Sequence, residues 1–123
     1  MSKSILHIDD EAAIRDIVAE ILKAHGYVVR SVATPGEALD AARAEMPDLV
    51  ISDLQLDEAD GLDTIAQLRK LKPALPVILL TGVLIDPKVA RETVGRLVSV
   101  YIEKTRPLSE IVREVTKLIG PAK

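Results

Sequence analysis

The sequence predicts an α/β domain built on an open, doubly wound, five-stranded parallel sheet with five helices. Three observations carry this expectation. Short apolar runs alternate with helical stripes along the chain, which implies parallel strands joined by right-handed crossovers. The central runs, Leu49 to Ser52 and Val77 to Leu80, are apolar without alternation, as strands covered on both faces must be. A closed barrel would need more strands, so the open sheet is the economical solution.

Ser4 to Ile8 is the first strand, and Ile14, Ile17, Val18, Ile21 and Leu22 then recur on one helical face. Gly26 offers that helix a left-handed stop, and Tyr27 to Val32 is β-branched enough for a second strand. Thr34-Pro35-Gly36-Glu37 has the form of a capping box, with Thr34 at the N-cap, Pro35 at the first helical position and Glu37 reaching back. The helix it opens runs to about Met46, where Pro47 stops it. The third strand ends at Asp53. Asp57, Asp60 and Gly61 mark a loop before a helix carrying Leu62, Ile65, Ala66 and Leu68. Pro73 and Pro76 bracket a turn before the fourth strand, which ends at Thr81. Asp86-Pro87 opens a short fourth helix ending near Gly95, and Val98 to Ile102 is the last strand. Leu108, Ile111, Val112, Val115, Leu118 and Ile119 line the last helix, closed by Gly120-Pro121. No linker, repeat or low-complexity stretch interrupts this order, so a single domain over 1–123 is expected, with its core at about 4–120.

Composition narrows the function classes. With 48% hydrophobic and 28% charged residues, the chain can build a core and is not disordered. A net charge of −3 argues against a nucleic-acid surface or an anionic membrane. The absence of cysteine excludes disulfides and thiolate chemistry and suits a reducing compartment. Without Phe or Trp, and with Tyr 2, there is no platform for stacking bases. No signal-peptide core or membrane-spanning run occurs, so a cytoplasmic location is expected.

In open parallel sheets, ligands sit beyond the carboxyl ends of the strands, where strand order reverses. Those ends carry Asp9 and Asp10 after the first strand, Asp53 after the third, Thr81 after the fourth and Lys104 just past the fifth. Two carboxylates about 5 Å apart repel by roughly 3 kcal/mol at an effective dielectric near 20. Lys104 can offset one charge. A hard divalent cation would offset the rest, and Mg²⁺ suits a site with few carboxylates and several waters. An aspartate nucleophile beside such a cation is competent toward a phosphoryl group, and Lys104 and Thr81 could each take one of its oxygens.

These residues resemble the receiver domain of two-component response regulators, the CheY-like fold. The matching segments are Ile5 to Glu11, Pro47 to Leu54, Asp60-Gly61-Leu62, Leu79 to Gly82 and Tyr101 to Lys104, spanning nearly the whole chain. The flavodoxin-like strand order 2-1-3-4-5 is borrowed from that family. The resemblance implies that Asp53 accepts a phosphoryl group from a phosphohistidine on a sensor kinase or phosphotransfer protein. It also implies that the domain catalyses its own aspartyl phosphorylation and dephosphorylation. Asp10 then resembles a direct Mg²⁺ ligand, Asp9 a water-mediated one, and Gln55 the donor of a backbone carbonyl. Thr81 and Tyr101 resemble a switch pair, and Lys104 the lysine that pairs with the phosphoryl group. Output would pass through the face of the fourth helix, last strand and last helix, to an effector, an output domain or a second copy of the chain. No DNA-binding or catalytic output module is expected here, so the chain would be a stand-alone relay or a piece of a longer regulator.

Four departures from the family pattern stand out. Thr105 and Arg106 separate Lys104 from Pro107, where receivers place proline next to the lysine. Leu56-Asp57-Glu58 lacks the customary proline, Arg96 to Ser99 replaces a small Gly-Ala pair, and Val83-Leu84-Ile85 is unusually apolar. Gln55 and Val83 stand where the family tunes hydrolysis, which suggests slow self-dephosphorylation. Two competing readings follow: a pseudo-receiver that docks partners without phosphorylation, and a phosphatase of the haloacid-dehalogenase type. The latter wants a second aspartate where Gln55 stands. Taken singly, Asp9-Asp10 is an ordinary helix N-terminal pair, Lys104 a solvated lysine and Tyr101 half-buried packing. His7 reads as a core histidine, and His25 as a partner of its helix's C-terminus.

Overall fold

The computed structural model describes residues 2–53, 55–56, 59–82, 88 and 98–122. Its elements run β1 (Ser4–Ile8), α1 (Ala12–Ala24), β2 (Val28–Val32), α2 (Pro35–Ala44), β3 (Leu49–Ser52), β4 (Gln55–Leu56), β5 (Ala59–Asp60), α3 (Gly61–Leu71), β6 (Val77–Thr81), β7 (Val100–Glu103) and α4 (Leu108–Ile119). The main sheet has five strands, all paired in parallel, in the order β2-β1-β3-β6-β7. With the two-residue strands β4 and β5 set aside, this is the expected order 2-1-3-4-5. The expected fourth helix, from Asp86-Pro87 to Gly95, and the apolar Val83 to Ile85 lie outside the described residues, apart from Lys88.

Strand alternation splits the core into two layers. Ile5, Leu49, Ile51, Ile78 and Leu80 face one way and pack against Val18 and Leu22 of α1 and Ile111 and Val115 of α4. Leu6, Ile8, Val50, Val77 and Leu79 face the other way, against Ala38 and Ala42 of α2 and Ile65 and Leu68 of α3. Complete burial of an Ile or Leu side chain stabilises by about 1.5–3 kcal/mol, so a one-residue slip in any central strand would be costly. Among the described residues, no helix is long and apolar enough to cross a membrane.

Helix ends follow the local chemistry. Thr34 Oγ1 accepts from the Glu37 N–H at 3.2 Å, the N-cap half of the capping box, while the Glu37 carboxylate reaches back to the Thr34 hydroxyl, accepting from it at 3.1 Å. Gly26 has φ +94°, and the N–H groups of Gly26 and Tyr27 bond back to Lys23 and Leu22, so α1 closes and β2 starts at Val28 rather than Tyr27. His25 Nδ1 lies 2.9 Å from the Ile21 carbonyl oxygen, the helix-end role expected for it.

Three further boundaries differ from expectation. Helix α2 ends at Ala44 instead of Met46, because Glu45 is already extended and the residue before Pro47 is disfavoured in the helical region. The Arg30 guanidinium also bonds the carbonyls of Ala41 and Glu45, at 2.8 and 2.6 Å. The last strand begins at Val100, not Val98: the Ser99 hydroxyl accepts from the Val77 N–H at 3.3 Å, and the regular ladder starts after it. The stretch read as a loop holds an antiparallel ribbon, with Gln55 opposite Asp60 and Leu56 opposite Ala59, and α3 begins at once at Gly61.

Candidate functional site

Strand order reverses between β1 and β3, and their carboxyl ends open onto one crevice. The backbone fixes what stands there. The Asp9 N–H bonds the Val32 carbonyl at 3.1 Å, that of Asp53 bonds Ile8 at 3.0 Å, and that of Lys104 bonds Thr81 at 2.9 Å. Each residue is thus pinned one step past its strand by a bond that continues the ladder. Asp9 Oδ1 accepts from the Glu11 N–H at 2.9 Å, an Asx turn that leads the chain into α1. The Arg15 guanidinium donates to the Asp9 carbonyl at 2.6 Å and closes that turn from the helix side.

Lys104 occupies the centre. Its ammonium lies 3.0 Å from Asp53 Oδ2, 3.0 Å from Asp9 Oδ2 and 2.7 Å from Glu11 Oε1. The contacts to Asp53 and Glu11 are hydrogen bonds, whereas the approach to Asp9 is an ion pair without hydrogen-bond alignment. Asp9 is fully buried, Asp53 nearly so and Asp10 half-buried, while Glu11 is exposed. Burial opposes the ammonium charge, but the hydrogen bonds and fields of Glu11, Asp9 and Asp53 outweigh it and hold Lys104 above the usual lysine range. Burial pushes the Asp9 carboxyl up, against the lowering pull of the Glu11 N–H and Lys104.

Carboxylate oxygens of Asp9, Asp10, Glu11 and Asp53 all lie within 4.8 Å of one another. At that spacing each charged pair repels by about 3–4 kcal/mol at an effective dielectric near 20. One ammonium cannot offset four carboxylates, and Asp9 Oδ2 is buried without a hydrogen-bond donor among the described residues. Hard oxygen donors, an excess of negative charge and one open side fit a divalent cation that retains water.

The remaining expected site residues take distinct places. Thr81 ends β6, fully buried, next to the backbone of Lys104. Tyr101 lies opposite Leu79 in β7 and is half-buried against the α2–α3 layer. With Ile102, Glu103, Arg106 and Glu110 it lines an open groove of about 300 Å³. Burial first, and then the Glu103 carboxylate, raise its phenol pKa. Gln55 stands in β4, two residues past Asp53. No cis peptide occurs among the described residues, and Pro107 serves as the N-cap of α4. The structure therefore gathers Asp9, Asp10, Asp53 and Lys104 into one cluster and sets Tyr101 on the adjoining strand. It adds Glu11, which sequence reading passed over, and its only signal there is a long acidic side chain at an N-cap where short ones are preferred.

The family model described as the response regulator receiver domain matches residues 5–116. The probable transcriptional regulatory protein TcrX of Mycobacterium tuberculosis is 31% identical over 117 residues, covering 94% of this chain and 49% of TcrX. The alkaline phosphatase synthesis transcriptional regulatory protein PhoP of Bacillus subtilis is 38% identical over 82 residues, covering 67% of this chain and 34% of PhoP. The chain thus spans about half or less of these relatives' length. Among solved structures, a CheY-like receiver domain protein from Methanospirillum hungatei JF-1 superposes with a TM-score of 0.87 at 27% identity, covering 95% of this chain and 93% of that one. NtrX from Brucella abortus gives 0.87 at 30% identity, covering 97% of this chain and 27% of NtrX. A parallel sheet in this order, an acidic crevice at its carboxyl end and a family match across nearly the whole chain converge on one conclusion: the chain belongs to the receiver domain family of two-component response regulators.

Proposed function

We propose that the chain is a single receiver domain, 1–123, that accepts a phosphoryl group on Asp53 from a phosphohistidine of a sensor kinase or phosphotransfer protein. The observation that supports this is the hydrogen bond between Lys104 and Asp53, 3.0 Å long, inside a cluster with excess negative charge. A carboxylate oxygen of Asp53 attacks phosphorus, the bond from phosphorus to the donor nitrogen breaks, and its electron pair leaves with the imidazole, which takes up a proton. The product is an acyl phosphate, formed without redox change. Lys104 turns its ammonium to one phosphoryl oxygen, and the Thr81 hydroxyl donates to another.

Asp9, Asp10, Asp53 and the Gln55 backbone carbonyl would hold Mg²⁺, with Asp9 acting through water. When bound, this ion supplies positive charge to the phosphoryl oxygens and offsets the crowded carboxylates. Thr81 and Tyr101 then act as the switch pair. The signal leaves through β7, α4 and the expected fourth helix, toward an effector, an output domain or a second copy, in the cytoplasm and without direct nucleic-acid contact. The groove lined by Tyr101, Arg106 and Glu110 lies on that face.

Titration with Mg²⁺, followed by amide NMR, tests this reading against a docking module that needs no phosphorylation. Saturable shifts confined to Asp9, Asp10, Asp53, Lys104 and their neighbours are expected. An unresponsive crevice would favour the docking module.

A further inference from the structure

The Glu11 side chain plays no part in capping its own helix. It stands at the N-cap of α1 with no side-chain capping bond, although N-caps favour short side chains that can turn back onto the helix. Its carboxylate instead reaches 93 residues along the sequence to Lys104, and at 2.7 Å this is the shortest of the ammonium's three contacts with carboxylates. Asp9 and Asp53 hold the ammonium from the buried side of the crevice, whereas Glu11, with 59% of its side chain exposed, holds it from the mouth.

We propose that Glu11 is a positioning residue that anchors Lys104 at the mouth of the crevice in the resting domain and must release it when Asp53 is phosphorylated. The inference rests on the function proposed above. Lys104 has three donor hydrogens, and the resting structure commits two of them to Glu11 and Asp53. A phosphoryl group on Asp53 brings further oxygens that compete for the same ammonium. The phosphorylated state is therefore reached against the Glu11–Lys104 pair. Glu11 also places a negative charge where an anionic phosphodonor enters, so contact and field act in the same direction. The pair is partly solvated, and its effect is correspondingly modest.

The test uses the full chain with Mg²⁺ and acetyl phosphate as donor, comparing wild type, Glu11→Gln and Glu11→Asp. Glu11→Gln is expected to raise the second-order rate of Asp53 phosphorylation about two- to fivefold. Glu11→Asp keeps the charge but is one methylene too short for the contact, and is expected to recover at least half of that gain. A second readout needs no phosphorylation: the ¹⁵Nζ resonance of Lys104 should shift or broaden in both variants of the metal-free protein, as its anchor is lost. Equal rates in wild type and Glu11→Gln, a wild-type rate in Glu11→Asp, or an unchanged Lys104 resonance would overturn the proposal. If wild type itself forms no adduct, the receiver reading falls, and the Lys104 resonance still decides whether Glu11 anchors the ammonium.

Discussion

The Lys104 ammonium and Asp53 Oδ2 meet 3.0 Å apart at the carboxyl end of the sheet, joined across 51 residues of chain. Neither could be placed by its local sequence. Lys104 follows β7, Asp53 follows β3, and the two strands are not neighbours, because β6 lies between them. The pair exists because parallel strands deliver their ends to one edge. Its surroundings carry more negative charge than the ammonium can offset, and that imbalance governs how the domain responds to mutation, pH and metal.

Replacing a buried carboxylate of the cluster should stabilise the metal-free domain. Asp9→Asn keeps an acceptor for the Glu11 N–H but removes a desolvated charge that faces three other carboxylates. Urea unfolding in EDTA should show a gain of about 1–2 kcal/mol over wild type. The stabilisation that wild type gains from added Mg²⁺ should shrink sharply in the variant.

His7 makes acid stability measurable at a single residue. It is fully buried in β1, and neither ring nitrogen has a partner among the described residues. Burial, followed by the Lys104 and Arg15 charges, lowers its pKa from 6.5 to about 4, against a small opposing effect of Asp53. The unfolded chain therefore takes up a proton at a higher pH than the native one. Stability is intact above pH 6.5 and is lost as pH falls toward 4, by about 3 kcal/mol in all. His7→Leu should remove that component. The stability difference between variant and wild type, followed by urea unfolding from neutral pH downward, should grow in favour of Leu by about that amount.

Tyr27 ties the end of the chain to the start of β2. Its hydroxyl donates to the Gly120 carbonyl at 2.7 Å and lies 3.3 Å from Thr116 Oγ1, with the residue 4% exposed. Tyr27→Phe leaves that carbonyl without its donor and should cost about 1–2 kcal/mol in chemical unfolding. The phosphorylation rate should stay at the wild-type level, because this contact lies at the edge of the sheet opposite the crevice.

The fold was legible because burial and topology constrain each other. Leu49 to Ser52 and Val77 to Leu80 can only be central strands, and once they are central their terminal residues must share an edge. Asp9, Asp10, Asp53 and Lys104 followed from that geometry. The β4–β5 ribbon did not, since two-residue strands have no period to detect. The start of β7 was obscured because Val98 and Val100 are equally strand-like, and the Ser99 hydroxyl that decides between them leaves no mark in hydropathy. Glu11 was hidden for a different reason. An acidic residue just ahead of a helix is commonplace, and its meaning depends on where a turn 93 residues later places Lys104.

The most direct test is intact-protein mass spectrometry after incubation with Mg²⁺ and acetyl phosphate. The account predicts one phosphoryl adduct on wild type that is labile to hydroxylamine, mapping to Asp53 and absent from Asp53→Asn. An adduct of equal yield on both proteins, or none on a folded wild type whose crevice binds Mg²⁺, would contradict it.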